Sequence, residues 1–205
     1  DGGNAADAAL AAAAVLCVTE PMMTGIGGDA FAIVWTPAGQ AEGLDAAGPA
    51  PAAAPADAAV AIHGPRSVTV PGAVAGWAAL AERHGRLGLD RALRDAIDLA
   101  EDGFAVQPHC ASYWQQAPKL PDGYAPAPQA GDWVRLPALG QSLRAVAEQG
   151  PDAFYRGPLA GRIRHRDQLE RGDLVDLGGR IGHVRVGGAG DRDSRHIRDS
   201  SMQPV

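Results

Sequence analysis

The sequence predicts a mixed α/β fold with more helix than strand. Residues 88–102 place leucine, isoleucine and alanine near helical spacing, with arginine and aspartate between them, which is typical of an amphipathic helix. Residues 31–35 are a short apolar run with β-branched members, which is typical of a buried strand, and residues 67–70 are a second strand candidate. The chain has 205 residues, of which 46% are hydrophobic and 20% charged, so it is long enough to bury a core.

The first elements are a helix and a strand. The Asn4 side chain can accept from the exposed backbone N–H groups of a helix that extends to about Thr19, where a proline ends it. The glycine-rich turn at 25–28 then leads into the strand at 31–35, whose apolar residues predict burial. Three prolines within 46–59 prevent regular hydrogen bonding and predict an extended surface segment.

The later elements follow from apolar spacing and from the residues that end helices. A Pro-Gly pair ends the strand at 67–70, and Gly85 ends the next helix because glycine accepts positive φ at little cost. Helices are predicted at 73–84, 88–102, 111–116, 141–149 and 158–170, with a proline-rich loop at 118–128. The helix at 88–102, the first helix and the strand at 30–35 have the clearest apolar faces and should form the most stable part.

Composition argues against several functions. The formal net charge of −6 gives no basic surface for phosphates, so no nucleic-acid partner is expected. No run approaches the roughly 18 apolar residues that cross a bilayer, so no membrane span is expected. Cys17 and Cys110 lack metal-ligand spacing and are expected to be unpaired core thiols. The N-terminus has neither an initiator methionine nor a signal-peptide pattern; we expect a missing N-terminal piece, and the location stays open between periplasmic or secreted and cytoplasmic.

No pattern in the residues alone predicts an active site. The glycines at 25–28 lack the Gly-Lys-Ser/Thr end of a phosphate-binding loop and precede a strand, so they predict a helix-to-strand turn. The histidines considered as zinc ligands have no metal-ligand spacing, and the serines have no nucleophile elbow, so no metal is expected. These residues are His63, His84, His109, Ser67, Ser112 and Ser142.

Five segments resemble motifs of the γ-glutamyltranspeptidase family, in the family's order. They are residues 2–9 (against GGNAxDAA), 20–31 (against EPxxxGIGGGGF), 67–76 (against SVxVPGxVAG), 85–104 (against a YGxL turn, a helix and LAxxGF) and 150–157 (against GPDAFYxG). The resemblance covers roughly residues 2–176. It implies an α/β (α+β) fold, an incomplete αββα sandwich of the N-terminal-nucleophile (Ntn) hydrolase type, of which this chain is a helix-rich large-subunit fragment.

The resemblance also implies the chemistry. One precursor cleaves itself before a threonine, whose hydroxyl becomes the nucleophile and whose freed α-amine is the base. A γ-glutamyl group then passes from a small molecule such as glutathione to water or an amino acceptor, without an external cofactor.

The catalytic threonine is expected outside this chain. In the family it lies in a Thr-Thr-His-like motif well beyond the matched span. The four threonines here are not followed by Thr or His: Thr19, Thr24, Thr36 and Thr69. The fragment alone should therefore be inactive, and the missing small subunit is the partner that the resemblance implies.

One departure from the family bears on substrate binding. In the transpeptidases an Asp-x-Arg-Glu-x-Ala-Pro-Ala segment supplies an arginine that pairs with the substrate α-carboxylate. Residues 45–52 match this segment, with Ala47 at the arginine's position and Gly48 after it, and these two are the predicted substrate-binding positions. A related acylase or amidohydrolase, or a non-catalytic truncated remnant, therefore stays open beside a γ-glutamyltransferase.

The resemblance stops abruptly after residue 177. Residues 1–177 are expected to form the large-subunit portion. Residues 178–205 have no aromatic side chain and no periodicity that could bury a face, so a disordered or frameshifted tail is expected. With permissible codons for 183–191, a shift of one base reads Thr-Phe-Glu-Trp-Val-Glu-Pro-Val, which restores a family-like Trp-Val-x-Pro-(Ile/Val) signature. A genuine divergent terminus is the alternative.

Overall fold

The computed structural model describes residues 2–50, 67–162 and 185–188. Its elements in chain order are α1 (Ala5–Thr19), β1 (Ala30–Trp35), β2 (Ala41–Ala46), α2 (Ala73–His84), α3 (Leu89–Asp102), β3 (Phe104–Ala105), α4 (Pro108–Gln116), β4 (Trp133–Val134), α5 (Pro137–Gln149), α6 (Asp152–Tyr155) and β5 (Arg185–Gly188). The chain divides into two compact units. The helical unit takes its residues from 1–26 and 80–163, and the sheet unit from 27–79 and 164–205.

The helical unit is built around α3, which packs against both α1 and α5. Leu93 is fully buried, Ile97 is buried and Leu99 is half-buried, so the amphipathic helix predicted at 88–102 is confirmed. Alanines complete this core, because their small side chains let the helices approach closely. The alanines with no exposed surface in these helices are Ala14, Ala96 and Ala100.

The first motif of the chain ties the start of α1 to the turn between α2 and α3. The Asn4 side chain accepts from two N–H groups of the first turn, at 2.9 and 3.1 Å, and so caps the helix. The buried Asp7 carboxylate accepts from the Asn4 N–H at 2.8 Å, and from the N–H groups of Arg86 and Leu87 at 3.0 and 3.1 Å. The Asn4 amide also donates to the His84 carbonyl at 2.6 Å. The Gly-Gly-Asn-Ala-Ala-Asp motif therefore has a structural role.

The sheet unit contains a three-stranded antiparallel sheet in the order β1-β2-β5. β1 and β2 form a hairpin in which Ala30 pairs with Ala46 and Trp35 pairs with Ala41. Gly39 in the connecting turn has φ of 75°, a left-handed conformation that favours glycine. Among the described residues, β1 pairs with one neighbour and lies at an edge of this sheet.

The prediction that β1 is a buried strand is wrong. Phe31, Ile33 and Trp35 alternate along one face of β1 and are 70%, 85% and 73% exposed. Short apolar strands usually have both faces covered, which is why the sequence predicts burial. In the described part of the sheet unit, one face of this strand stays open.

Further differences from prediction concern the other strands. Residues 67–70 do not form a strand, because the Val70 N–H donates to the Pro49 carbonyl at 2.9 Å but proline has no N–H to return a bond. The sequence does not predict β2, since Ala-Glu-Gly-Leu-Asp-Ala is poor in β-branched residues. Within 178–205, Arg185–Gly188 form β5 where no regular structure is predicted, and the other residues of that segment lie outside the described ones.

The helices agree with prediction except at two starting points and at α6, a helix of four residues that the sequence does not predict. α1, α2 and α3 are found within a residue or so of their predicted bounds. α4 and α5 begin at Pro108 and Pro137, several residues before the predicted starts, because proline is well accommodated at the first position of a helix. Most of the helix predicted at 158–170 lies outside the described residues.

Candidate functional site

Three segments of the sheet unit meet where the chain leaves β2. They are residues 28–29, residues 45–49 and residues 69–73. The Gly28 carbonyl accepts hydrogen bonds from the N–H groups of Gly72 and Ala73, both at 2.9 Å. With the bond between Val70 and Pro49, these contacts hold the three segments together through their backbones.

Ala47 and Gly48, the predicted substrate-binding positions, lie at this junction. Ala47 is exposed, and its N–H donates to the Asp45 carboxylate at 3.0 Å. The Gly48 N–H donates to the Asp29 carboxylate at 2.8 Å. The Thr69 hydroxyl lies 3.3 Å from each oxygen of that same carboxylate and donates to it. The backbone N–H group of each of the two positions is therefore bound by a carboxylate.

Close backbone contact explains the glycines of the junction. A Cβ at Gly48 would overlap the Val70 carbonyl, and a Cβ at Gly72 would overlap the Ala46 carbonyl. A Cβ at Gly76 would lie 2.6 Å from the Ala46 methyl group, which is closer than real side chains approach. Glycine is therefore required by packing after Ala47, whatever role the segment has in binding.

None of the four threonines is placed as an N-terminal nucleophile. Each hydroxyl forms a hydrogen bond that has a structural role. The partners are the Val15 carbonyl for Thr19 (3.2 Å), the Cys17 thiol for Thr24 (3.7 Å), the Gln40 N–H for Thr36 (3.2 Å) and the Asp29 carboxylate for Thr69 (3.3 Å). Local structure therefore accounts for the hydrogen bonds of all four hydroxyls.

The two cysteines and the possible metal ligands do not form a reactive site in the described residues. Cys17 and Cys110 are buried and free, as predicted, and burial raises the pKa of both thiols, so they stay protonated near neutral pH. Within the described ranges, no three His, Cys, Asp or Glu side chains are grouped so that they could hold a metal ion. The helices of those same ranges include none that is long and apolar enough to cross a membrane.

Similarity to known proteins identifies the family. The profile of the gamma-glutamyltranspeptidase family matches residues 1–176. The chain belongs to this family. The oxamate amidohydrolase proenzyme of Klebsiella pneumoniae is 37% identical over 184 residues, which cover 80% of this chain and 35% of that protein. Glutathione hydrolase 3 of Arabidopsis thaliana is 35% identical over 192 residues, which cover 86% of this chain and 30% of that protein. The chain thus spans about a third of these relatives.

Solved structures of γ-glutamyltranspeptidase-family proteins have the same fold. The γ-glutamyltranspeptidase of Pseudomonas nitroreducens, in complex with L-DON, matches with a TM-score of 0.80 at 29% identity and covers 92% of this chain and 60% of that one. The cephalosporin acylase of Bacillus halodurans matches with a TM-score of 0.77 at 36% identity and covers 89% of this chain and 39% of that one. The fold is therefore part of an Ntn-hydrolase fold, as the resemblance implies.

Asp29 is the residue of the junction that the sequence does not single out. Residues 25–29 predict only a turn between helix and strand, and that turn is present. The available signal is a departure from the γ-glutamyltranspeptidase motif GIGGGGF, which has glycine where this chain has Asp29. A carboxylate in place of a hydrogen atom is a large change at a backbone junction.

Proposed function

We propose that the chain is the N-terminal portion of the large subunit of an Ntn hydrolase that transfers an acyl group, by family a γ-glutamyl group, from a small amide donor to water or an amino acceptor. The observation that carries this proposal is the family match over residues 1–176, together with the fold shared with a γ-glutamyltranspeptidase over 92% of the chain. The donor and the acceptor are small molecules.

The proposed chemistry needs a threonine from the rest of the precursor. Its hydroxyl oxygen bonds to the donor carbonyl carbon while its own α-amine takes the proton, and the donor's amine leaves with that proton. Water or an amino compound then attacks the resulting acyl ester, and the threonine hydroxyl is restored. Backbone N–H groups stabilise the oxyanion in both steps. No external cofactor takes part in this scheme.

Ala47 and Gly48 are the proposed donor-facing positions. The exposed methyl group of Ala47, on a segment fixed by the packing of Gly48, supports this assignment. An alanine has no charged group to pair with an α-carboxylate of the donor. This observation favours a second candidate, an acylase or amidohydrolase. The names of the K. pneumoniae and B. halodurans relatives are in line with it.

The rest of the precursor, including the small subunit, is the proposed partner. The open face of β1 supports this, because it presents three large apolar side chains on a strand that lies at an edge of the described sheet. Exposed apolar surface next to an unpaired strand edge is typical of a protein interface.

Sequencing the gene beyond codon 177 and expressing the complete frame tests the proposal. We expect a frame, direct or shifted by one base, that contains a Thr-Thr-His-like motif. The precursor should cleave itself into two subunits, seen by electrophoresis, and then hydrolyse a γ-glutamyl anilide or an acyl amide. Replacing the threonine at the cleavage point by alanine should abolish both events. A continuing frame without such a threonine would leave only the non-catalytic remnant and would contradict the enzyme proposal.

A further inference from the structure

The Asp29 carboxylate connects all three segments of the junction. It is carried by the turn before β1, it accepts the Gly48 N–H at 2.8 Å, and it accepts the Thr69 hydroxyl at 3.3 Å. These bonds join residues that are 19 and 40 positions apart in sequence. A single side chain therefore fixes two segments that have no ladder between them.

The Gly48 N–H depends on this carboxylate. β2 ends at Ala46, so Gly48 lies beyond the strand pairing that supplies partners to the residues before it. The preceding N–H, of Ala47, is taken by Asp45 within the same segment. Two successive N–H groups are thus bound by two carboxylates, of which Asp29 comes from a distant part of the sequence. The Val70 N–H also reaches the segment, at the Pro49 carbonyl, but it leaves the Gly48 N–H to Asp29. Hydrogen bonds to a charged acceptor are stronger than neutral ones. A carboxylate can therefore hold the Gly48 N–H even though Asp29 is exposed to water.

Close backbone contacts at Gly48 and Gly72 also restrict how the segments of the junction can move. Gly48 and Gly72 are in contact with carbonyl groups of the opposite segment at distances that exclude a Cβ. A Cβ built at Gly48 would also lie 3.4 Å from an Asp29 carboxylate oxygen, so the Val70 carbonyl and the Asp29 carboxylate both restrict the segment at this residue. Loss of the carboxylate would release the Gly48 N–H and let Ala47 change its position.

We propose that Asp29 is a positioning residue for the donor-binding segment, holding Ala47 and Gly48 in the conformation that faces the amide donor. The proposal rests on the proposed function for its donor, and on the junction itself for its geometry. Asp29 acts through the backbone of Gly48, and it makes no bond to the donor.

Amide hydrogen exchange in the 205-residue chain tests the geometry. In Asp29→Ala, exchange at the Gly48 amide should be about tenfold faster than in the wild type, as expected for loss of a hydrogen bond to a charged group. Asp29→Asn is the matched control, because it removes the same charge and keeps an acceptor oxygen; its Gly48 amide should exchange more slowly than in the alanine variant. The amides of the paired strands β1 and β2 report whether the sheet unit of each variant folds, and their exchange should be unchanged. Equal Gly48 exchange in the alanine and asparagine variants would overturn the proposal.

Kinetics of the complete precursor test the role in binding. Asp29→Ala should raise KM for the amide donor about tenfold with little change in kcat, as expected when binding common to ground state and transition state is lost. Asp29→Asn should restore most of the wild-type KM, and self-cleavage should be normal in both variants. Unchanged KM in the alanine variant, with faster Gly48 exchange, would overturn the positioning role. A wild-type precursor that cleaves no amide, with the exchange results as expected, would instead refute the proposed function.

Discussion

Asp7 is a buried carboxylate that accepts hydrogen bonds from backbone N–H groups. Its hydrogen bond from the Asn4 N–H is the largest influence on the pKa of this carboxyl, and with the bonds from Leu87 and Arg86 it lowers that pKa against the opposing effect of burial. A carboxyl whose pKa is lowered by folding stabilises the folded state when it is ionised. Its contribution is complete above the unfolded pKa, near pH 4, and is lost as the pH falls through the folded pKa.

Asp7→Asn should therefore lower the thermal unfolding midpoint at pH 7 by more than it does at low pH. The variant removes the charge and turns an amide N–H₂ towards three N–H donors, which leaves buried groups without partners. Unfolding midpoints measured from pH 7 to pH 3 would show the wild type and the variant converging as the pH falls. Asp95→Asn, at an exposed position of α3, is the control and should change the midpoint little. A constant difference across this range would contradict the assigned role.

Ala47→Arg in the complete precursor should favour γ-glutamyl donors. The new guanidinium can pair with the donor's α-carboxylate, a charge-assisted contact worth about 1.5 to 3 kcal/mol. The ratio of kcat/KM for a γ-glutamyl donor to that for an acyl donor without an α-carboxylate should rise about tenfold. Ala47→Met has similar length without charge and should leave this ratio near that of the wild type. An unchanged ratio in the arginine variant would show that position 47 does not face the donor carboxylate.

The sequence names Ala47 and Gly48 as binding positions, but it predicts neither the junction of the three segments nor the bonds that hold it. Ala47 and Gly48 follow from the order of motifs, because the matched family segment runs through them. The role of Asp29 depends on bonds to residues 19 and 40 positions away, and no local pattern records such a pairing. The same limit applies to Asp7, whose link to Leu87 crosses 80 positions.

Among the helices, α3 should respond most strongly to loss of a core side chain. Leu93 is fully buried in a helix that packs against α1 and α5. Leu93→Ala should lower the free energy of unfolding by about 2 to 5 kcal/mol, because it removes buried methyl groups and leaves a cavity. Leu16→Ala on α1 makes the same change at a position that is 42% exposed, and it should cost less than about 1 kcal/mol. Denaturant titration measures both, and similar losses would mean that α3 is not the centre of this core.

The open face of β1 should govern association of the isolated chain. Ile33→Thr keeps a β-branched side chain on the strand and removes apolar surface, so the free energy of unfolding should change by less than about 0.5 kcal/mol. Light scattering should show less self-association than in the wild type. Val34→Thr, at a half-buried position of the same strand, should destabilise the chain without this gain. Unchanged association of the Ile33 variant would show that another surface is responsible.

Helices are predicted better than strands for a physical reason. Caps, glycines and apolar spacing are local, and they locate α1, α2 and α3 closely. A strand depends on partners that sequence spacing does not reveal. The composition of β2 disfavours a strand, yet β2 is paired on both sides. Residues 67–70 favour a strand and do not form one.

For the whole molecule, the predicted fold class is confirmed and the internal division is not visible in the sequence. The helical unit draws on residues before and after the sheet unit, so its two parts are separated by more than fifty residues of chain. Composition does not change at either boundary in a way that marks it. The apolar sequence of β1 likewise indicates that another surface covers this strand. It does not indicate whether that surface belongs to this chain or to the rest of the precursor.

The hydrogen bonds of Asp7 join two parts of the chain that are synthesised at different times. Residues 4–7 leave the ribosome first, but the N–H groups of Arg86 and Leu87 follow 79 and 80 residues later. At a synthesis rate of about 5 to 20 residues per second, these N–H groups emerge roughly 4 to 16 s after the Asp7 carboxylate. A helix of 15 residues is only marginally stable alone in water, so α1 must form and melt repeatedly during that interval. The hydrogen bonds of Asp7 are thus completed only when the turn before α3 has emerged.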